Sequence, residues 1–329
     1  MSASKVLTEW GVMVEAEAAY GDGATMVAGE DGLLALERPD VDYDWLHDGQ
    51  RRGESGPMSH GIKRVGKSGL FGNVPIVCEA HGAGEAYSAS KVPNIHDILV
   101  ACGFTGTVDT TPGSEKYTYV PGAGVSAGIE VYNLEHKYIL KGCYGDLSIS
   151  SDAPDVPAWE FAMQGLLTQP SEAAVPSITY PTVVPPKAVG ISFTLGNYTG
   201  GIVRGFDLSL NHEISSRVDQ NVAAGHGGFT LGGCRPTLNL TVEADAFTGD
   251  PYHGADAINP YQLAELATAL ALSFQIGSTQ YNKWKLEASA AQIVDVEETD
   301  DGPSGLWVLT IELNPTTSGG KDNLTLTFD

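Results

Sequence analysis

Short alternating apolar runs, each closed by glycine, proline or asparagine, recur from one end of this 329-residue chain to the other. Alternation places every second side chain on one face, as a half-buried strand requires, and 40 glycines with 18 prolines leave little uninterrupted length for helix. Strands are predicted over 74–79, 117–120, 129–134, 137–141 and 146–150, and again over 189–195, 202–212, 237–243, 284–296, 306–313 and 324–328. Each half also holds one short helix. Asn94 precedes Ile95, Ile98, Leu99 and Cys102, spaced as one helical face, with Gly103 as the stop. Asn259 precedes Pro260, Leu263, Leu266, Ala267 and Leu270 in the same way. The fold class expected is all-β.

Between the two sets of strands, residues 169–187 read QPSEAAVPSITYPTVVPPK. Pro170, Pro176, Pro181, Pro185 and Pro186 remove the backbone donors that a helix or a central strand needs, so this is the best linker in the chain. It suggests two domains, 1–180 and 181–329, built on one plan. A short echo sets residues 138–149 (YILKGCYGDLSI) against 202–210 (IVRGFDLSL) and is consistent with duplication.

Charge narrows the function classes. Eighteen Lys and Arg against 41 Asp and Glu give a formal net charge of −23. Residues 1–180 carry 11 basic and 24 acidic groups, and residues 181–329 carry 7 and 17, so both halves are acidic. Such a surface repels phosphate and argues against ordinary nucleic-acid binding. Cys78, Cys102, Cys143 and Cys234 form no CxxC pair and are expected as buried thiols. No secretory pattern opens the chain and no apolar run approaches a membrane span, so the expectation is a soluble product of a cytoplasm with no membrane anchor.

Three motifs resemble chemistry. Residues 61–68 (GIKRVGKS) match a phosphate-binding loop, but the polar RRGESGPMSH precedes them and Gly69, Gly72 and Pro75 interrupt any following helix. Gly124-Val-Ser126-Ala-Gly128 matches a hydrolase nucleophile elbow, with His212, His226 and His253 downstream as bases to consider. A strand-like IEVY follows where the elbow needs a helix, so a glycine-rich turn is preferred. The calcium-like start Asp40-Val-Asp42-Tyr-Asp44 has Trp45 where glycine is required and Arg51 where glutamate is required. The expectation is no catalytic residue, no cofactor and no metal. Residues 37–72 fit neither strand nor helix, and their acidic start and basic end suit contact with a neighbouring copy. The candidate contact residues are Asp42, Asp44, Trp45, His47, Asp48, Arg51, Arg52, Lys63 and Arg64.

The order of several short motifs resembles one known family. Residues 10–24 (WGVMVEAEAAYGDGA) resemble the N-terminal signature of tail-tube proteins of long-tailed, siphovirus-type bacteriophages. Further similarity lies in 92–104 (VPNIHDILVACGF), 140–146 (LKGCYGD), 159–165 (WEFAMQG), 211–217 (NHEISSR), 300–307 (DDGPSGLW) and 321–328 (KDNLTLTF). The resemblance implies β-sandwich subunits, each with a flanking helix, whose sheets join into a ring with a β-lined channel. It also implies a long loop that reaches the next ring, and passage of DNA through an acidic lumen. One such sandwich needs only about half of this length, so either one domain carries an insertion or two tube-type domains are fused; the expectation is the fused form, with three subunits closing a pseudo-sixfold ring or, alternatively, six. Expected partners are further copies, tape-measure and terminator proteins, and DNA in transit. The location is the virion tail, assembled in the host cytoplasm. The alternatives are a tail terminator, a decoration protein or, on a different principle, a hydrolase using Ser126.

Overall fold

The computed structural model describes residues 9–44, 47–48, 64–65, 70–221, 226–244, 258–317 and 319–329. In the first half the elements are β1 (Trp10–Ala16), β2 (Asp42–Asp44), β3 (His47–Asp48), β4 (Arg64–Val65), β5 (Leu70–Glu79), α1 (His96–Ala101), β6 (Phe104–Asp109), β7 (Lys116–Pro121), β8 (Ala127–Asn133), β9 (His136–Asp152), β10 (Ala158–Leu167) and β11 (Ser171–Glu172). In the second they are β12 (Ser192–Leu195), β13 (Val203–Ser209), β14 (Ile214–Val218), β15 (His226–Leu231), β16 (Thr237–Glu243), α2 (Pro260–Glu265), β17 (Ala269–Ile276), β18 (Trp284–Asp301), β19 (Ser304–Asn314) and β20 (Thr325–Phe328).

Both halves arrange their strands alike. The order β2-β5-β10-β9-β8-β1 in the first is matched by β13-β16-β19-β18-β17-β12 in the second. Each half has a two-stranded arm between corresponding strands, β3–β4 and β14–β15. Each has one long strand, β9 or β18, that starts against two short partners and continues beyond them. The correspondence reaches single residues: Ala127↔Cys143 is followed by Ile129↔Leu140, and Leu270↔Ala291 by Leu272↔Ala288, the same one-residue bulge at the same place. The β6–β7 hairpin has no counterpart and docks on β20, so the two halves are interleaved in one sheet of 16 strands.

The 138–149 and 202–210 echo does not mark this repeat. Those segments are β9 and β13, which occupy different places in the plan and lie side by side, with Ile149 opposite Leu208. Both carry a half-buried strand pattern, and that is enough to make them look alike. Lys137–Lys141 and Asp146–Ser150 are likewise not separate strands: Gly142, at φ 60°, forms the bulge that lets β9 run through. Asn94 does not cap α1. Its amide instead accepts from the His81 N–H at 2.8 Å and donates to the Glu79 carbonyl at 2.9 Å, while Asn259 does cap α2, accepting from Gln262 N at 3.2 Å.

Alternation does the packing. β10, β16, β17 and β19 bury every second side chain, and β8 is buried on both faces. The buried apolar residues form one cluster that spans both halves. At its middle Trp159 of β10 meets Trp284 of β18 edge to face, centroids 5.2 Å apart, with Phe206 and Phe328 against them. The proline-rich 169–187 stretch folds back over the first half, where Thr179 N donates to Ala28 O at 2.8 Å and Ile178 fills the space that side chains at Gly11 and Gly32 would need.

A core shared in this way predicts that urea unfolds the isolated subunit in one transition. Trp159→Ala should lower its stability by about 3–5 kcal/mol while keeping the transition single. Two separated transitions in circular dichroism and tryptophan fluorescence would contradict a common core.

Candidate functional site

Two of the residues that looked like chemistry, Ser126 and His212, are hydrogen-bonded within the fold. Ser126 is buried at the entrance to β8, where a strand, not a helix, follows. Its hydroxyl donates to Glu17 Oε2 at 2.6 Å. The same buried carboxylate accepts from Gly21 N at 2.8 Å, Gly23 N at 3.0 Å and Gly142 N at 3.0 Å. Four donors satisfy a charge that burial would otherwise make costly. Glycine is needed at 21, 23 and 142 because φ is positive at each. Tyr20 completes the cluster: it stacks on Tyr144 with centroids 5.8 Å apart, and its hydroxyl accepts from the Phe229 N–H, fastening the β14–β15 arm to the first half. The glutamate and tyrosine of the N-terminal signature are thus structural, as is the serine of GxSxG.

His212, considered as a partner for Ser126, belongs to another group. Its Nδ1 lies 3.3 Å from Asp146 Oδ1, and its backbone N–H donates to the same oxygen at 3.0 Å. Burial alone would lower its pKa, but its hydrogen bonds to Asp146 and to the Cys234 thiol raise it to about 9. Burial raises the Cys234 thiol, yet the His212 bond and the Asn323 amide, whose Nδ2 is 3.8 Å from the sulfur, bring it below its ordinary value. Cys78, Cys102 and Cys143 are buried, and burial pushes all three thiols well up. The expectation of buried thiols is met by those three and not by Cys234, which is partly exposed. His253 lies outside the described residues. Among the described residues no group of His, Cys, Asp and Glu is arranged to hold a metal ion, and no helix is long and apolar enough to cross a membrane.

The candidate contact residues are distributed over an edge and an arm. Asp42 and Asp44 lie on β2, which pairs only with β5 among the described strands. His47 and Asp48 form β3, and the ladder sets Asp48 opposite Arg64 of β4. Trp45, Arg51, Arg52 and Lys63, with the 61–68 phosphate-loop match other than residues 64 and 65, lie outside the described residues. Residues 37–72 were expected to hold neither strand nor helix, yet β2, β3, β4 and the start of β5 fall there, because their partners, not their own pattern, set them as strands; the second arm, β14–β15, was missed as well, since its mostly exposed Ile-Ser-Ser-Arg-Val strand has no alternation to signal it. Sequence reasoning also missed that β18 runs on from residue 296 to Asp301, with Asp295, Glu297, Glu298, Asp300 and Asp301 all exposed and Glu298 accepting from the Tyr261 hydroxyl.

The described residues form an all-β fold of two like strand assemblies in which Ser126 and His212 are hydrogen-bonded within the fold. Residues 64–329 match the family described as phage tail tube protein, and the chain belongs to that family. No curated protein matches the sequence. The family assignment makes it a component of the virion tail.

The His212 group gives a pH dependence with a defined sign. The folded pKa is raised above 6.5 to about 9, so the stabilisation is complete below pH 6.5 and is lost as pH rises through 9. The lowered Cys234 thiol works in the opposite sense, so the urea midpoint should fall across that interval by less than His212 alone would give, and His212→Ala should be less stable at pH 6 and lose the fall. An unchanged slope in the variant would show that other groups carry the effect.

Proposed function

We propose that this protein is the repeating subunit of the tail tube, closing into rings that stack around a channel through which DNA passes during ejection. The matching strand orders of the two halves carry the reading: one chain supplies two like ring segments, residues 1–180 and 181–329, so three subunits complete a pseudo-sixfold ring. The net charge of −23 supports the channel, because carboxylates do not make the counterion-releasing contacts that would hold a moving duplex. Tape-measure and terminator proteins are the further partners in this reading, and assembly takes place in the host cytoplasm. Residues 37–72 reach the neighbouring ring, with Asp42, Asp44, Trp45, His47, Asp48, Arg51, Arg52, Lys63 and Arg64 as the contacts.

Electron microscopy of the purified protein at increasing concentration and salt tests this directly, with tubes of threefold rings as the expected product. Rings of six complete chains would overturn the trimer, single rings that never stack would favour a terminator, and persistent monomers would overturn the tube. In the same assay Arg51→Glu with Arg52→Glu should reduce tube length several-fold while circular dichroism stays unchanged.

The protein performs no catalytic step in this reading. The bond from Ser126 to a carboxylate, in place of an imidazole, supports that view. Hydrolysis of a generic ester should not exceed the buffer rate, and a robust rate that Ser126→Ala abolishes would reverse the conclusion.

A further inference from the structure

His212 and Cys234 stand at the two feet of the β14–β15 arm. His212 lies between β13 and β14, Cys234 lies between β15 and β16, and the chain closes between them through Gly232 N to Glu213 O at 2.6 Å and Glu213 N to Gly233 O at 3.2 Å. Asn211 fixes the approach. It takes φ 54°, in the left-handed region that asparagine tolerates, and its Nδ2 donates to the Arg235 carbonyl at 3.1 Å, so the residue before the imidazole is tied to the residue after the thiol. From the other side Asp146 of β9 holds the ring, its Oδ1 lying 3.3 Å from Nδ1. Thiol, imidazole and carboxylate thus form a chain, the arrangement that activates a sulfur nucleophile.

The surroundings of the sulfur point the same way. Cys78, Cys102 and Cys143 are sealed in the core, whereas Cys234 is half-buried and opens on a cleft of about 370 Å³ between the β15–β16 turn and the end of β19, lined also by Arg235, Thr237, Glu312, Asn314 and Asn323. Asn323 is only 4% exposed. Its Nδ2 is aimed at the Cys234 sulfur at 3.8 Å, while its Oδ1 is buried with no partner. An amide that forgoes a bond on its acceptor to keep a donor on sulfur is oriented for a negative sulfur. The charged groups about the thiol are His212 and Asp146 on the buried side and Arg235 and Glu312 in the cleft, so the cleft offers one cation and one anion to a ligand that carries both charges.

We propose that Cys234 is a thiol–disulfide exchange site which, backed by His212 and Asp146, takes one half of a small zwitterionic peptide disulfide into this cleft. The Cys234 sulfur attacks one sulfur of the ligand, a new S–S bond forms as the old one breaks, and the departing thiolate takes the proton of the His212 imidazolium. Cys234 is oxidised, the departing half is reduced to a free thiol, and one adduct forms per chain. A thiol held below its ordinary value has more thiolate at neutral pH, and it loses less in intrinsic nucleophilicity than it gains in that fraction. The site belongs to the single folded chain and does not depend on the ring reading.

The test is incubation of the full chain with glutathione disulfide near neutral pH, with intact mass and peptide mapping after an acid quench. One adduct, on Cys234, removed by dithiothreitol and absent from Cys234→Ser, is expected. Its rate of formation should be about fivefold higher than at the same cysteine in urea, where the thiol is an ordinary one. His212→Gln and Asp146→Asn, each checked by circular dichroism, should slow the folded chain at neutral pH and restore the steep rise with pH of an ordinary thiol. The uncharged 2-hydroxyethyl disulfide should react several-fold more slowly than glutathione disulfide. No adduct on the folded chain, or a rate no higher than in urea, overturns the proposal without recourse to any variant. A folded Asp146→Asn chain with the parent's pH profile overturns the role of the imidazole–carboxylate pair, and equal rates with the two disulfides overturn the role of the cleft.

Discussion

The antiparallel ladder between β9 and β13 is the interaction on which the rest of the architecture depends. Without it the two halves would be separate sheets, each with an unsatisfied edge of backbone donors and acceptors. With it, Leu208 and Ile149 close over the core and Trp159 and Trp284 are brought face to edge, so that neither indole is exposed. The β6–β7 hairpin then crosses to β20 and locks the arrangement from the other side. Hydrogen bonding sets the register, and the aromatic centre makes it cooperative.

Much of this was legible because a strand with one wet face writes its period into the sequence. β16 was predicted with its exact limits at 237–243, and β5, β7, β8, β19 and β20 within a few residues. The same local logic failed where a longer-range partner decided the outcome. Gly142 reads as a strand breaker, and it is one only until the Glu17 carboxylate, far away in sequence, accepts its N–H and holds the bulge. Asn94 reads as a cap because its tie to His81 and Glu79 is invisible without the fold. The arm β14–β15 packs through Phe229 against Phe71 and Tyr20 and has no alternation of its own to betray it.

The candidate site was legible in kind more than in detail. The strand expected after GxSxG is β8, and the Ser126 hydroxyl, whose partner could not be read from sequence, donates to Glu17. The signature around Glu17 and Tyr20 was recognisable as a motif before its work was known: it gathers four backbone and hydroxyl donors and pins an arm. The far end of β18 was hidden because sequence acids there, from Asp295 to Asp301, look like any solvated loop, and only their pairing with β19 shows them to be strand.

Joining two like halves through β9 and β13 also changes how such a protein meets its own copies. A contact within one chain forms during folding, at an effective concentration fixed by the tether, and does not dilute. For any closed assembly made of such halves, every second contact is therefore already in place when the chain leaves the ribosome. Closure then requires fewer than half as many collisions, and its rate depends on a correspondingly lower power of protein concentration, which favours completion when subunits are scarce.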